Sequence, residues 1–334
     1  MNPPPNPRAP SSRLRRAVLA LLLLWAAIPA AAAPVRVSFL DTRAAREETL
    51  RAFARAGCTP ENIAALRKAI LHYYRTPLDL DTAAFPPARG GFYEFSTIGD
   101  FLTALGTNQL SYLAHDFELN CYDTALLLAG PDMDVTADLQ TRGAPWLAIQ
   151  VTTNFNEWLE PVASLGDVAA IAQPPWYTDF LKDTAQYEFP EKHRILDAAL
   201  YQYQTLPRDT SAETIAADTQ AALRRHWQRC GVRFPHKVSI VLAHRARTDY
   251  HLVVTDHAAM LLKQKNGWLY LEKTGGKGPF LRLDIQDLTD IAAYFSSMTW
   301  PDYPFNYLSV NADLFLDVPL RPRPPPPAEA APAE

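Results

Sequence analysis

The spacing of apolar positions changes near the middle of the chain. Over 42–56, Arg and Glu alternate with Ala, Leu and Phe at helical spacing, and Gly57 stops the run. Thr59-Pro60-Glu61-Asn62 reads as an N-cap followed by proline at the first helical position. That opens a second helix running to about Tyr74, so a helical hairpin is expected on one side of the domain. Residues 77–91 hold Pro77, Pro86, Pro87 and a glycine pair, which predicts a loop. A short helix is expected over 96–105. From Asn120 onward, Cys121, Ala125, Leu126, Leu128 and Ala129 predict a strongly buried helix that Gly130-Pro131 ends. A strand is expected at 146–151, and helices at 191–203 and 211–229. Beyond Val238 the pattern turns to strands. Residues 238–243 form a nearly continuous apolar run, as a central strand requires. Further strands follow at 251–262, 268–273 and 279–283, then a last helix at 287–296. The expected architecture is α+β, with helices first and a mostly antiparallel sheet in the C-terminal half.

Two end segments fall outside this pattern. Arg8, Arg13, Arg15 and Arg16 precede an apolar run at 17–28, and Pro29 and a string of alanines follow. This is the layout of an export signal, with cleavage expected after Ala31, Ala32 or Ala33 and a periplasmic or secreted product. The alternative is an uncleaved anchor, for which the apolar run is short of the ~20 residues a membrane span needs. Residues 319–334 are rich in Pro and Ala without periodicity, as in a solvated tail that can dock a partner in extended form. The segment 34–318 is then one domain, with no internal repeat, no linker and no second apolar run to make a transmembrane segment.

Charge narrows the partners. The full chain carries −4; the first 33 residues contribute four arginines and no acid, so cleavage takes it to −8. With Lys and Arg dispersed, this argues against a nucleic-acid partner. Three cysteines survive processing, and in an oxidising compartment an odd count leaves a thiol over. Cys58 and Cys230 are each next to a glycine at a predicted helix end. If they pair, Cys121 is the free thiol; the other reading is three reduced cysteines.

Cys121 opens its helix, where unpaired N–H groups and the helix dipole favour a thiolate. A nearby imidazole moves the proton, and a third polar group fixes the ring. His257 and Glu272, on two successive predicted strands, supply these in order. No cofactor is required. For the pairing, a two-residue turn at Asn266-Gly267 would set His257 opposite Gly276, leaving Glu272 roughly 13 Å away along the strand. A four-residue loop over 263–266 would set His257 directly opposite Glu272, so the site requires the wider loop or a bulge. Asp256, the rival orienting residue, should point to the other face. A zinc site from His251, His257 and Cys121 would need the strand to break, because His251 lies roughly 20 Å from His257 along a regular strand; no metal is expected. Asn120, Asn108 and Gln109 are candidate oxyanion donors, Asn120 also being a candidate helix cap. The irregular stretch 154–189, with Trp158, Trp176 and Tyr177, either lines a substrate groove or folds as loop onto the core.

The run from His257 to Leu262, the run from Gly267 to Lys273, and Gly278-Pro279-Phe280 are similar to an uncharacterised bacterial family, domain of unknown function 4300. That family has an upstream Asn-Cys pair before a helix, matched here by Asn120-Cys121. More broadly, the order resembles the NlpC/P60 and papain-like thiol hydrolases. The matching motifs cover roughly a tenth of the chain. Tyr122 departs by standing where a basic residue is expected, and Ala258-Ala259 by replacing Val-Gly. The resemblance implies a papain-like fold and cleavage or transfer at an amide or ester, with cell-wall peptides as the substrate class. The rival expectation is a non-catalytic periplasmic binding or envelope-assembly protein on the same fold.

Overall fold

A computed structural model describes residues 34–106, 110, 121–136, 199–200, 204–248, 251–274, 278–298 and 306–319. These all belong to the second of two compact units, Pro34–Glu334, the first being Met1–Ala33. The predicted strand at 146–151, most of the predicted helix at 191–203, the 154–189 stretch and all but the first residue of the tail lie outside the described residues.

The described part is a mixed α+β fold built on a large antiparallel sheet. The strands are β1 (Val35–Ser38), β2 (Tyr93–Phe95), β3 (Gln204–Thr205), β4 (Ser239–Arg247), β5 (Leu252–Gln264), β6 (Gly267–Lys273), β7 (Phe280–Ile285), β8 (Tyr307–Val310) and β9 (Leu314–Asp317). Their order across the sheet is β2-β1-β7-β6-β5-β4-β8-β9, with β3 added alongside β5. The helices are α1 (Arg43–Arg55), α2 (Pro60–Tyr73), α3 (Ile98–Leu105), α4 (Cys121–Ala129), α5 (Ile215–Cys230) and α6 (Thr289–Met298).

The expectation of helices first and a sheet confined to the C-terminal half is corrected by β1. This strand precedes α1 and pairs with β7, Val37 facing Leu283. Four residues are too few to show a period, and the leader-like alanines run straight into them. Strands β2, β8 and β9 escape the pattern for the same reason, each having three or four residues. The helix foreseen from 211 begins at Ile215, because Ser211 to Thr214 form a turn stitched by their own hydroxyls. Other boundaries follow their signals. Thr42 and Thr59 cap α1 and α2, each accepting from a backbone N–H at 3.3 Å. Gly231, in left-handed conformation, ends α5.

Both faces of the sheet are covered, which is why β4, β5 and β6 carry long apolar runs rather than strict alternation. On one face, α1, α2, α4 and α5 pack Phe53, Leu66, Leu126 and Trp227 onto Ile240, Ala258, Met260 and Leu271. On the other, α3 and α6 pack Phe101, Tyr294 and Phe295 onto Val241, Ala259, Tyr270 and Leu281. Helix α4 is buried along its whole length, Asp123 and Thr124 included. It lies against β5, β6, β4 and α2.

The β5–β6 hairpin has neither of the two registers foreseen. Its turn residues are Lys265 and Asn266, with Gln264 opposite Gly267 and Met260 opposite Leu271. Gly267 has φ +102°, and a Cβ there would come 2.1 Å from the Ile285 carbonyl oxygen. Only glycine suits that combination of left-handed backbone and close approach.

Candidate active site

The β5–β6 pairing stops at Met260 and Leu271, while β6 continues on β7 through Glu272 and Lys273. Past that point lie His257 on β5 and Glu272 on β6. Continuing the register would set His257 opposite Thr274, so Glu272 is its diagonal neighbour, two positions back on the same face. Diagonal pairs are about 7–8 Å apart at the backbone, within reach of two long side chains. His257 Nε2 meets Glu272 Oε2 at 2.6 Å. Direct opposition was therefore not needed.

A bulge sets the position of His257. The β4–β5 register shifts between Ala243 and His244, leaving Asp256 as the extra residue between Thr255 and His257. Strict alternation fails at such a point, so the parity argument against Asp256 does not apply. Asp256 is instead ion-paired with Arg245, and Glu272 holds the imidazole. The same bulge anchors the helix that Cys121 opens. Tyr122 donates its hydroxyl to the Thr255 carbonyl at 3.1 Å, fixing the first turn of α4 to β5 two residues from His257. Tyr122 thus fixes where Cys121 sits against β5.

Cys121 is the first residue of α4 and is 5 % exposed; His257 is 8 % exposed. The two side chains are hydrogen-bonded. With Nε2 taken by Glu272, Nδ1 is the ring nitrogen left for the thiol. Phe295 packs edge-on to the imidazole, ring centres 5.5 Å apart. The structure therefore brings Cys121, His257 and Glu272 together. Asn120, Asn108, Gln109, Trp158, Trp176 and Tyr177 lie outside the described residues.

Glu272 is fully buried, and its carboxylate is surrounded by donors. Oε2 accepts from His257 and from the Tyr270 hydroxyl at 2.6 Å, and Oε1 accepts from Tyr294 and from Thr274 at 3.2 Å. Burial pushes its pKa up, but the His257 charge and the hydrogen bonds outweigh this and leave it below the ordinary range. For His257, burial pushes down, while the Cys121 and Glu272 charges and hydrogen bonds push harder the other way, to about 10. The arrangement favours imidazolium beside the Glu272 carboxylate. Tyr270 and Thr274 were open to inference, since residues two apart on a strand share a face. Tyr294 comes from α6, with no sequence signal linking it to Glu272.

A pH prediction follows from these shifts. His257 has a folded pKa above its ordinary 6.5, so the stability it contributes is fully present below pH 6.5 and is lost as pH rises through about 10. Glu272→Gln removes the carboxylate that helps hold the proton. The His257 ring titration, followed by NMR, should move to lower pH in that variant; an unmoved midpoint would contradict the role given to Glu272.

The other two thiols are different. Burial pushes Cys58 up to about 11 and raises Cys230 as well. Cys230 lies near His226, but burial lowers that imidazole rather than raising it. All three cysteines are free thiols. His251 stands in the turn before β5 with φ 50°. Among the described residues no group of three or more His, Cys, Asp or Glu side chains is placed to hold a metal ion.

No family model matches the chain, and no curated protein or solved structure matches it either. Among the described residues, no helix is long and apolar enough to cross a membrane. What the fold and site define is a mixed α+β domain with a thiol–imidazole–carboxylate array where two central strands part.

Proposed function

We propose that this protein is an exported, cysteine-dependent hydrolase or acyltransferase acting on an amide or ester, with cell-wall peptides as the substrate class. The observation that carries the reading is the His257 imidazole held between the Cys121 thiol and the Glu272 carboxylate. In the first step the Cys121 thiolate attacks the substrate carbonyl carbon, and the His257 imidazolium gives its proton to the leaving amine or alkoxide. This forms a thioester and neutral imidazole. The imidazole then takes a proton from water, or from an acceptor hydroxyl or amine, as that nucleophile attacks the thioester. Collapse releases the acid or transferred acyl group and restores the thiolate–imidazolium pair. Glu272 fixes the ring throughout. The Cys121 backbone N–H, at the start of α4, is one donor for the developing oxyanion. The papain-like and NlpC/P60-like reading of the fold belongs to this proposal. So does the export signal at 1–33, and with it a periplasmic or secreted location.

A non-catalytic binding protein on the same fold is favoured by one observation, the near-complete burial of the thiol and the imidazole. Incubation with purified cell-wall fragments and mass spectrometry of the products separates the two readings. The hydrolase reading predicts cleaved or transferred fragments with the wild type and none with Cys121→Ala. Binding of fragments without any product, equal in both proteins, would favour the alternative.

A further inference from the structure

One of the four donors on the Glu272 carboxylate comes from an element outside the strands that carry the site. Oε2 accepts from His257 Nε2 and from the Tyr270 hydroxyl, each at 2.6 Å. Oε1 accepts from Thr274 at 3.2 Å and from the Tyr294 hydroxyl. An ionised carboxylate offers about four lone-pair sites, so all of them are filled. Tyr270 and Thr274 stand two positions either side of Glu272 on one run of chain, and they travel with it. Tyr294 belongs to α6. That helix packs on α3 and β9, with Ile291, Tyr294 and Phe295 in the core of this face. Phe295, the next residue, lies edge-on to the His257 ring, centres 5.5 Å apart. Helix α6 therefore touches both members of the His257–Glu272 pair.

We propose that Tyr294 is a positioning residue: by donating to Oε1 it holds the Glu272 carboxylate turned to His257 Nε2, and so leaves Nδ1 as the working nitrogen of the ring. The inference rests on the reading of Cys121, His257 and Glu272 as the reacting site. The last torsion of a glutamate side chain is broad, so the plane of the carboxylate is set by its donors. A donor on Oε1 from α6 fixes that plane against a second element while Oε2 stays on Nε2. The filled carboxylate is acceptor-only. Nε2 therefore keeps its hydrogen in both charge states of the ring, and the proton that moves is the one on Nδ1. Among the described residues, the titratable groups facing the carboxylate are His257 of β5, Tyr270 of β6 and Tyr294 of α6. Lys273 alternates to the opposite face, where it meets the Tyr73 ring. Burial raises both phenols well above their ordinary 10, so they stay neutral and donate.

The test is Tyr294→Phe in the full-length protein, which removes the hydroxyl and leaves the ring seated against Tyr270 and Phe295. Two readouts are taken: the titration of the Glu272 carboxyl carbon by NMR, and the rate at which iodoacetamide alkylates Cys121 at pH 7. Hydrogen bonds to the ionised carboxylate favour that form. The Glu272 midpoint should therefore rise by about one pH unit, a tenfold gain in proton affinity. Alkylation should slow by about tenfold, because a carboxylate free to turn holds the imidazolium less of the time. An unmoved midpoint, or a moved midpoint with unchanged alkylation, overturns the proposal and leaves Cys121 as nucleophile untouched. A wild-type rate no faster than that of the denatured chain overturns the reading on which the proposal rests. A second measurement keeps all four donors in place. With Tyr294 replaced by 3-fluorotyrosine, the more acidic phenol donates more strongly, and the Glu272 midpoint should fall. A midpoint that stays in place refutes the assignment.

Discussion

Cys121→Ala is expected to abolish turnover of the wall-fragment substrate, a loss of about 10⁴-fold or more. In the proposed reaction the sulfur is the atom that bonds to the acyl carbon, a role alanine cannot fill. His257→Ala should lose a similar factor. The double variant should be scarcely worse than either single one, because the groups act as a unit and their effects do not add. Stability separates the two. Removing one sulfur atom from the start of α4 should cost about 1 kcal/mol, since Tyr122 still ties the helix to β5. Removing His257 takes the cation away from a fully buried carboxylate and should cost more. Single-turnover kinetics and urea melts of both variants check this. Residual activity within 10-fold of wild type in Cys121→Ala would show that the chemistry lies elsewhere.

Glu272→Ala is expected to destabilise the protein by about 3–5 kcal/mol, the usual cost of breaking a buried charge pair by removing one partner. The substitution leaves His257, Tyr270, Tyr294 and Thr274 pointing into an unfilled site. Each lost partner adds its own desolvation cost. Glu272→Gln keeps the volume and should cost less. The sign of the pH dependence is fixed. Glu272 has a depressed folded pKa, so its stabilising contribution is present above the ordinary value of 4.5 and is lost as pH falls through the folded value. Urea titrations at pH 7 and pH 3 should therefore show a wide gap between wild type and Glu272→Ala that narrows in acid. A pH 7 gap below about 1 kcal/mol would mean that the buried network contributes little.

Much of this arrangement is legible in the chain before any coordinates. The helix-start cysteine, the strand histidine and the next-strand glutamate stand in the order that thiol chemistry needs, and they meet in space. The route by which they meet was not legible. Regular-strand geometry ties His257 to Glu272 by direct opposition and asks for a wide loop or a bulge. The structure uses a tight turn followed by Gly267, and lets two long side chains span a diagonal where the strands part. A one-residue bulge cannot be read from alternation, yet Asp256 supplies one and pairs with Arg245. Glu272 could equally read as a solvated strand residue, but both it and Lys273 are almost completely buried, because a sheet covered on both faces has no wet side. The short strands β1, β2, β8 and β9 carry too few residues for a period and take their structure from pairing with distant partners.

The most direct test of the central assembly is competitive alkylation. Native protein at pH 7 is treated with limiting iodoacetamide, and the three cysteines are quantified by peptide mass spectrometry beside a denatured control. Convergence of thiol, imidazole and carboxylate predicts that Cys121 is labelled first, faster than in the denatured chain, with Cys58 and Cys230 slower. Cys121 labelled no faster than its denatured counterpart, or overtaken by Cys58, would contradict the account.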